Sequence, residues 1–219
     1  MTQDLLKDLT PQQLKAVTYK NIPLLILAGA GSGKTKALTY RAAWLMDQHQ
    51  IEPNNILLVT FTNKAALEMR KRVQKIAGQV LPHVSTFHSW CARILRKEGK
   101  YLGIPVNYLI YDTTDQIDLV KQVMLEKGIS SSNFKPRAML AAISQAKNEL
   151  FSPSEYFEYA KTYFYKTAAQ IYFDYQKKLK KYQALDFDDL LFETVKLFWN
   201  HQDILQKYQE QFLYILVDE

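Results

Sequence analysis

Lys34 and Thr35 close a glycine-rich stretch, AGAGSGKT, whose residue types suit the binding of a phosphate chain. Gly29, Gly31 and Gly33 let the backbone turn tightly, so that successive N–H groups point inward at phosphate oxygens. A helix that starts directly after them adds positive potential. The expected nucleotide-contacting set is Ala28, Gly29, Ala30, Gly31, Ser32, Gly33, Lys34, Thr35 and Lys36. Lys34 is expected to reach the β- and γ-phosphates, and Thr35 to offer a hydroxyl to Mg2+, which prefers hard oxygen ligands. Ala28 stands at the first position of the loop, where Gly is usual, and is small enough to be tolerated. A glycine-rich turn with an incidental lysine would show the same eight letters. The flanks argue against that: Leu24–Leu27 reads as an apolar strand, and Leu38, Ala42 and Leu45 follow at helical spacing, giving the strand, loop and helix that a P-loop requires.

The chain's last six residues, YILVDE, read as a buried strand followed by two carboxylates. In P-loop NTPases a second strand presents an aspartate to the Mg2+ shell, the role expected of Asp218. Glu219 would then lie near the γ-phosphate, where a carboxylate can orient or deprotonate an attacking water. Many strands end in solvated acids, so it is the P-loop that gives this pair its meaning.

The elements that must carry these residues fall into two territories. Up to about residue 90, short β-rich runs (IPLLILA, NILLVTF, HVSTF) alternate with helical patterns, as in a parallel sheet wrapped by helices. From Thr113 to Tyr208 the patterns are nearly all helical: TTDQIDLVKQVMLEKG opens on a Thr cap and closes on Gly128, and Pro136 and Pro153 stand where helices begin. The final FLYILV returns to a strand. The expected architecture is therefore α/β, a parallel sheet interrupted by an α-helical insertion. Its divisions are residues 1–92, 93–185 and 186–219, with soft boundaries because TFHSWCARILRKEG reads as one helix crossing the first of them.

With 219 residues, 47% of them apolar, the chain has ample material for a core. No apolar run approaches the roughly 20 residues that cross a bilayer, and the N-terminus lacks a signal-peptide pattern. The single cysteine, Cys91, reads as buried and inert and suits a reducing, cytoplasmic setting. A net charge of +6 favours an acidic partner such as nucleic acid.

Six segments in order, LTPQQLKAV, AGAGSGKT, LLVTFTNKAALEMRKR, VSTFHSW, LDFDDLL and YILVDE, make the chain resemble the N-terminal portion of a UvrD/Rep-type superfamily 1 DNA helicase, over essentially its whole length. The resemblance implies a RecA-like ATP-binding domain with a helical insertion, ATP and Mg2+ as cofactors, and 3′-to-5′ movement on single-stranded DNA with unwinding at single-strand/duplex junctions. It also implies a second RecA-like motor domain, which supplies arginines to the γ-phosphate and of which this chain holds nothing, so the chain looks like a fragment. Gln13 matches the glutamine that reads the adenine edge, for which an amide has the needed donor and acceptor. A helix start capped by Thr10 with Pro11 at its first position would leave Gln13 merely solvated. Phe61, Thr62, Asn63 and Lys64, and likewise Thr86, Phe87 and His88, match contacts to single-stranded DNA. They follow strands at the end where open α/β sheets bind ligands. Phe61 can stack on a base or sugar, and Thr62 and Asn63 can bond phosphate. His88 has no Cys/His partner spaced for a metal and reads as a hydrogen-bond donor.

Some residues depart from the family pattern or have a plainer reading. Ser85 stands where Gly is common, and Trp90 where a smaller apolar residue is usual. Lys64, Lys71 and Lys75 lie off the apolar face formed by Ala66, Met69, Val73 and Ile76, as in an ordinary solvated helix. Asp186, Asp188 and Asp189 suit the first turn of a helix. Lys177, Lys178, Lys180 and Lys181 cannot all face one way. Two other classes fit the phosphate loop: a P-loop phosphotransferase, for which no lid arginine is identifiable, and a nonenzymatic nucleic-acid-binding module that retains the loop without turnover.

Overall fold

The run ILLVT at Ile56–Thr60 (β1) is buried along its whole length, as a strand covered on both faces must be. It is the middle strand of a parallel sheet in which Val84–Thr86 (β2) lies on one side and Tyr214–Val217 (β5) on the other. These strands appear in a computed structural model that describes residues 6–19 and 23–218.

The N-terminal part also holds the helices Pro11–Val17 (α1), Lys34–Gln48 (α2) and Asn63–Ala77 (α3). Leu38, Ala42 and Leu45 of α2 and Ala66, Met69 and Val73 of α3 pack with Ile56, Leu58 and Leu216 on one face of the sheet. Leu57 and Val59 point to the opposite face, against Phe212, Trp90 and Tyr208. Trp90 meets Tyr208 and Phe212 edge-on with ring centroids 6.3 and 6.1 Å away, so this bulky residue fills the second face of the sheet.

The strand expected at Leu24–Leu27 is not formed. Leu25 and Leu27 are 80% and 86% exposed. No described strand pairs with the far edge of β5, and its Ile215 and Val217 are exposed. A lone extended segment without a neighbour has no ladder for its N–H and C=O groups, so an apolar sequence alone does not make it a strand.

The chain divides into two compact units, one of residues 1–90 and 205–219, the other of residues 91–204. Phe87–Glu98 (α4) and Gln202–Gln211 (α10) carry the chain across these divisions. Residues 91–204 are mostly helical: Thr113–Glu126 (α5), Pro136–Asn148 (α6), Pro153–Tyr159 (α7), Tyr163–Lys181 (α8) and Phe187–Asn200 (α9). Pro136 and Pro153 are first-turn residues, as the sequence suggests. The cap of α5 is Asp112 rather than Thr113; its carboxylate accepts from Thr114 N and Asp115 N, and the Asp115 carboxylate accepts in return from Asp112 N. The helical pattern conceals a two-stranded parallel ribbon, Leu109–Tyr111 (β3) beside Ala184–Asp186 (β4). Among the lysines near the end of α8, Lys178 pairs with Glu126 at 2.8 Å and Lys177 lies over the Phe173 ring. Cys91 is buried, which pushes its thiol up.

The core of this unit gathers Leu119, Val123, Met139, Ile143, Ile171 and Tyr175. Inside it Lys147, fully buried, donates to Asp186 and Asp189, each at 2.7 Å. Tyr175 donates to Asp186 and Gln176 to Asp189. The two carboxylates also cap α9 reciprocally, Asp189 N donating to Asp186 and Asp186 N to Asp189. The capping reading of these aspartates holds, and the buried lysine is an addition to it.

Candidate nucleotide-binding site

The glycine-rich loop leads into α2 through Gly33, whose φ of 86° lies in the left-handed region, with Gly31 two residues earlier at 75°. A side chain at Gly33 would also collide with Gln13, 2.5 Å from its Nε2. The positive φ is what requires glycine here, because the Gln13 amide ends a flexible side chain and could move aside.

The loop is folded on itself. Ser32 Oγ donates to the Gly29 carbonyl at 2.7 Å, and Lys34 Nζ donates to the carbonyls of Ala28 and Gly29 at 3.1 and 3.0 Å. The lysine is thus held over the mouth of the loop by two neutral acceptors. Gln13 is engaged at both ends of its amide: Oε1 accepts from Thr10 N, completing a capping box at the start of α1, and Nε2 donates to the Ser32 carbonyl at 2.9 Å. Gln13 is therefore not merely solvated: it caps the helix and also touches the glycine-rich loop.

Arg41 secures this arrangement from below. It lies among the apolar positions of α2 and donates to the carbonyls of Ala16 and Val17 at the end of α1 and of Tyr19 just beyond its cap. The signal in sequence was a charged residue at a core-facing position, next to Ala42 and three residues after Leu38.

Thr35 and Asp218, separated by 183 positions, meet at the start of α2: the Thr35 hydroxyl donates to Asp218 Oδ2 at 2.9 Å. Asp218 is buried at the end of β5, and its N–H donates to the Val59 carbonyl, continuing the sheet by one bond. The pair supplies one hydroxyl and one carboxylate, both hard oxygen donors, which fits Mg2+ in a site that keeps waters and phosphate oxygens as its remaining ligands. Among the described residues no group of three or more His, Cys, Asp or Glu side chains is arranged to hold a metal. Glu219 lies outside the described residues.

The residues matched to DNA contacts follow β1 and β2, and the register pairs Thr60 with Thr86, so the two Thr-Phe turns emerge side by side. Phe61 is 75% exposed, and Asn63, Lys64 and Phe87 are also exposed. Thr62 and Thr86 serve the backbone first: the Thr62 hydroxyl accepts from Ala65 N at the start of α3, and the buried Thr86 hydroxyl accepts from Ser89 N and donates to Ser89 Oγ. His88 is half-buried. Phe61, Asn63, Lys64 and Phe87 are therefore exposed side chains at this edge that are not taken up in capping.

The family described as the UvrD/REP helicase N-terminal domain matches residues 9–219. The chain is 47% identical to the ATP-dependent DNA helicase PcrA of Bacillus subtilis (strain 168) over 100% of its own length and 30% of that protein's. It is 46% identical to the protein of the same name from Staphylococcus aureus (strain Mu50 / ATCC 700699), over 98% of the chain and 30% of the relative. The chain thus spans under a third of the length of the curated relatives it matches. A loop, a distant aspartate brought to its threonine, and a match over nearly the whole sequence place the chain in the UvrD/REP helicase family, as its N-terminal domain.

Proposed function

We propose that the chain is the ATP- and single-stranded-DNA-binding N-terminal part of an ATP-dependent, 3′-to-5′ DNA helicase of the cytoplasm. Residues 93–185, which lie within the compact unit of residues 91–204, would be the helical insertion of its RecA-like domain. The observation that carries this reading is the 2.9 Å contact between Thr35 and Asp218, which joins the phosphate loop to the end of the sheet. Lys34 would pass from the carbonyls of Ala28 and Gly29 to phosphate oxygens when nucleotide enters, and the N–H groups at the start of α2 would stabilise their charge. Thr35 and Asp218 would hold Mg2+, which neutralises charge building on the phosphates. Glu219 is assigned the orientation of the attacking water. Gln13, matched to the adenine edge, has to release Ser32 to present its amide, so base recognition and loop geometry share one side chain. Hydrolysis at useful rates and unwinding are assigned to the longer protein, because arginines from a second motor domain, typically worth about 10³ to 10⁵ in rate, would complete the transition-state site.

The test is Lys34→Ala. Fluorescent-nucleotide titration should show Mg-ATP affinity reduced about 10- to 100-fold, the scale of a lost charge-assisted hydrogen bond, with the far-ultraviolet circular dichroism spectrum unchanged. Equal affinity in variant and parent would remove the phosphate-loop assignment.

A further inference from the structure

The helices α2 and α3 line an open groove of about 1130 Å³, and of its lining only Lys36 belongs to the expected nucleotide-contacting set. Lys36, Lys71, Arg72 and Lys75 line it, against two acids, Asp8 and Asp47. Lys36 is engaged, donating to the Asp8 carbonyl and lying over the Tyr40 ring. Lys71, Arg72 and Lys75 are exposed. Ala43, Met46, Ile76 and Ala77 supply its aliphatic lining.

The placement of the cations along α3 says more than their number. At 3.6 residues per turn, Lys64, Lys71 and Lys75 fall within an arc of about 40°, a straight row about 16 Å long. Its first member, Lys64, belongs to the strand-end site beside Phe61 and Asn63, and its last two line the groove. Glu68 lies at the margin of the same row, which remains net positive with Arg72 beside it. A DNA strand carries a phosphate about every 3.4 Å of helix axis, so a row of this length spans several.

We infer that the groove between α2 and α3 binds nucleic-acid phosphates and extends the strand-end site along the Lys64–Lys71–Lys75 row. The inference rests on the reading that Phe61 and its neighbours contact single-stranded DNA. Recognition here is by charge along the backbone and carries no base preference.

The experiment titrates labelled oligothymidylates of about 6 and about 16 nucleotides, lengths within the range that single-strand sites cover, against the parent chain, Lys71→Gln/Lys75→Gln and Phe61→Ala. Glutamine keeps helix propensity and side-chain length, and thermal unfolding checks that each variant is folded. The double variant should bind the longer strand about 5- to 10-fold more weakly at low salt. Its slope of log affinity against log salt should be shallower by about 1.4, two contacts at roughly 0.7 each, with the shorter strand unaffected. Phe61→Ala should weaken both strands. Loss in both variants supports the extended track. Loss in Phe61→Ala alone overturns the groove and leaves the strand-end reading intact. Loss in the double variant alone keeps the groove as a phosphate site and overturns the strand-end reading. Loss in neither overturns both.

Discussion

Lys147 and Lys34 each donate two hydrogen bonds, and they do opposite work. Lys147, in the helical unit, meets two carboxylates at 2.7 Å and has no exposed surface. Lys34, in the sheet-bearing unit, is half-buried and meets two backbone carbonyls of an exposed loop at 3.1 and 3.0 Å. A full charge inside a dry core can be held only by opposite charge, and once paired it has nothing to exchange with. A charge held by neutral carbonyls near water keeps most of its interaction energy in reserve for an anion. The first arrangement fixes a structure and the second leaves a site.

The strongest way to break this contrast is at Lys147. Lys147→Ala strands two buried carboxylates and should lower stability by about 3–5 kcal/mol, read by urea denaturation of the helical unit's circular dichroism. Lys34→Ala should cost almost no stability, so equal losses in the two variants would erase the distinction.

A smaller effect sharpens it through pH. Two carboxylates share one lysine, and burial pushes the Asp189 carboxyl up to about 7 while Lys147 pulls Asp186 down. Between the ordinary carboxylate range and pH 7, the folded chain keeps a proton at Asp189 that the unfolded chain has lost. Stability should therefore fall as pH rises through that window and level off above it, by at most about 1.4 kcal/mol per pH unit. Denaturation midpoints across that range should slope for the parent and flatten for Asp189→Asn. A parent with no slope would mean that both carboxylates stay ionised throughout.

The smallest expected effect concerns the other unit. Thr10→Ala removes half of the capping box that holds Gln13 and should cost about 1 kcal/mol, seen as a lower thermal midpoint. Because the Gln13 amide and the glycine-rich loop are themselves left in place, nucleotide affinity should change less than stability does.

The residues that do local work were legible in the sequence. The glycine spacing, the helical periodicity of α2 and α3 and the prolines at the starts of α6 and α7 depend on near neighbours, and the periodic apolar positions predicted the core. Leu24–Leu27 misled because an apolar run states a propensity, whereas a strand also needs a partner, and none of the described strands pairs with it. The mistaken cap at Thr113 was an error of one residue between two good capping types. Lys147 was invisible for a different reason: its partners lie 39 and 42 residues away, and a lysine in a helix ordinarily reads as solvated. The contact of Gln13 with Ser32 was hidden in the same way, across 19 residues.

The bare side of β5 has a practical meaning for anyone who handles the chain by itself. Among the described residues no strand pairs with this edge, which lies beside exposed Ile215 and Val217, with Leu25 and Leu27 exposed in the same unit. Backbone groups in such a position are a template for another molecule's strand, and the neighbouring apolar side chains reward the pairing. Crowding at high concentration would therefore drive copies together through this edge. The remedy is to blunt it with charge at Ile215 or Val217 and leave the phosphate loop untouched.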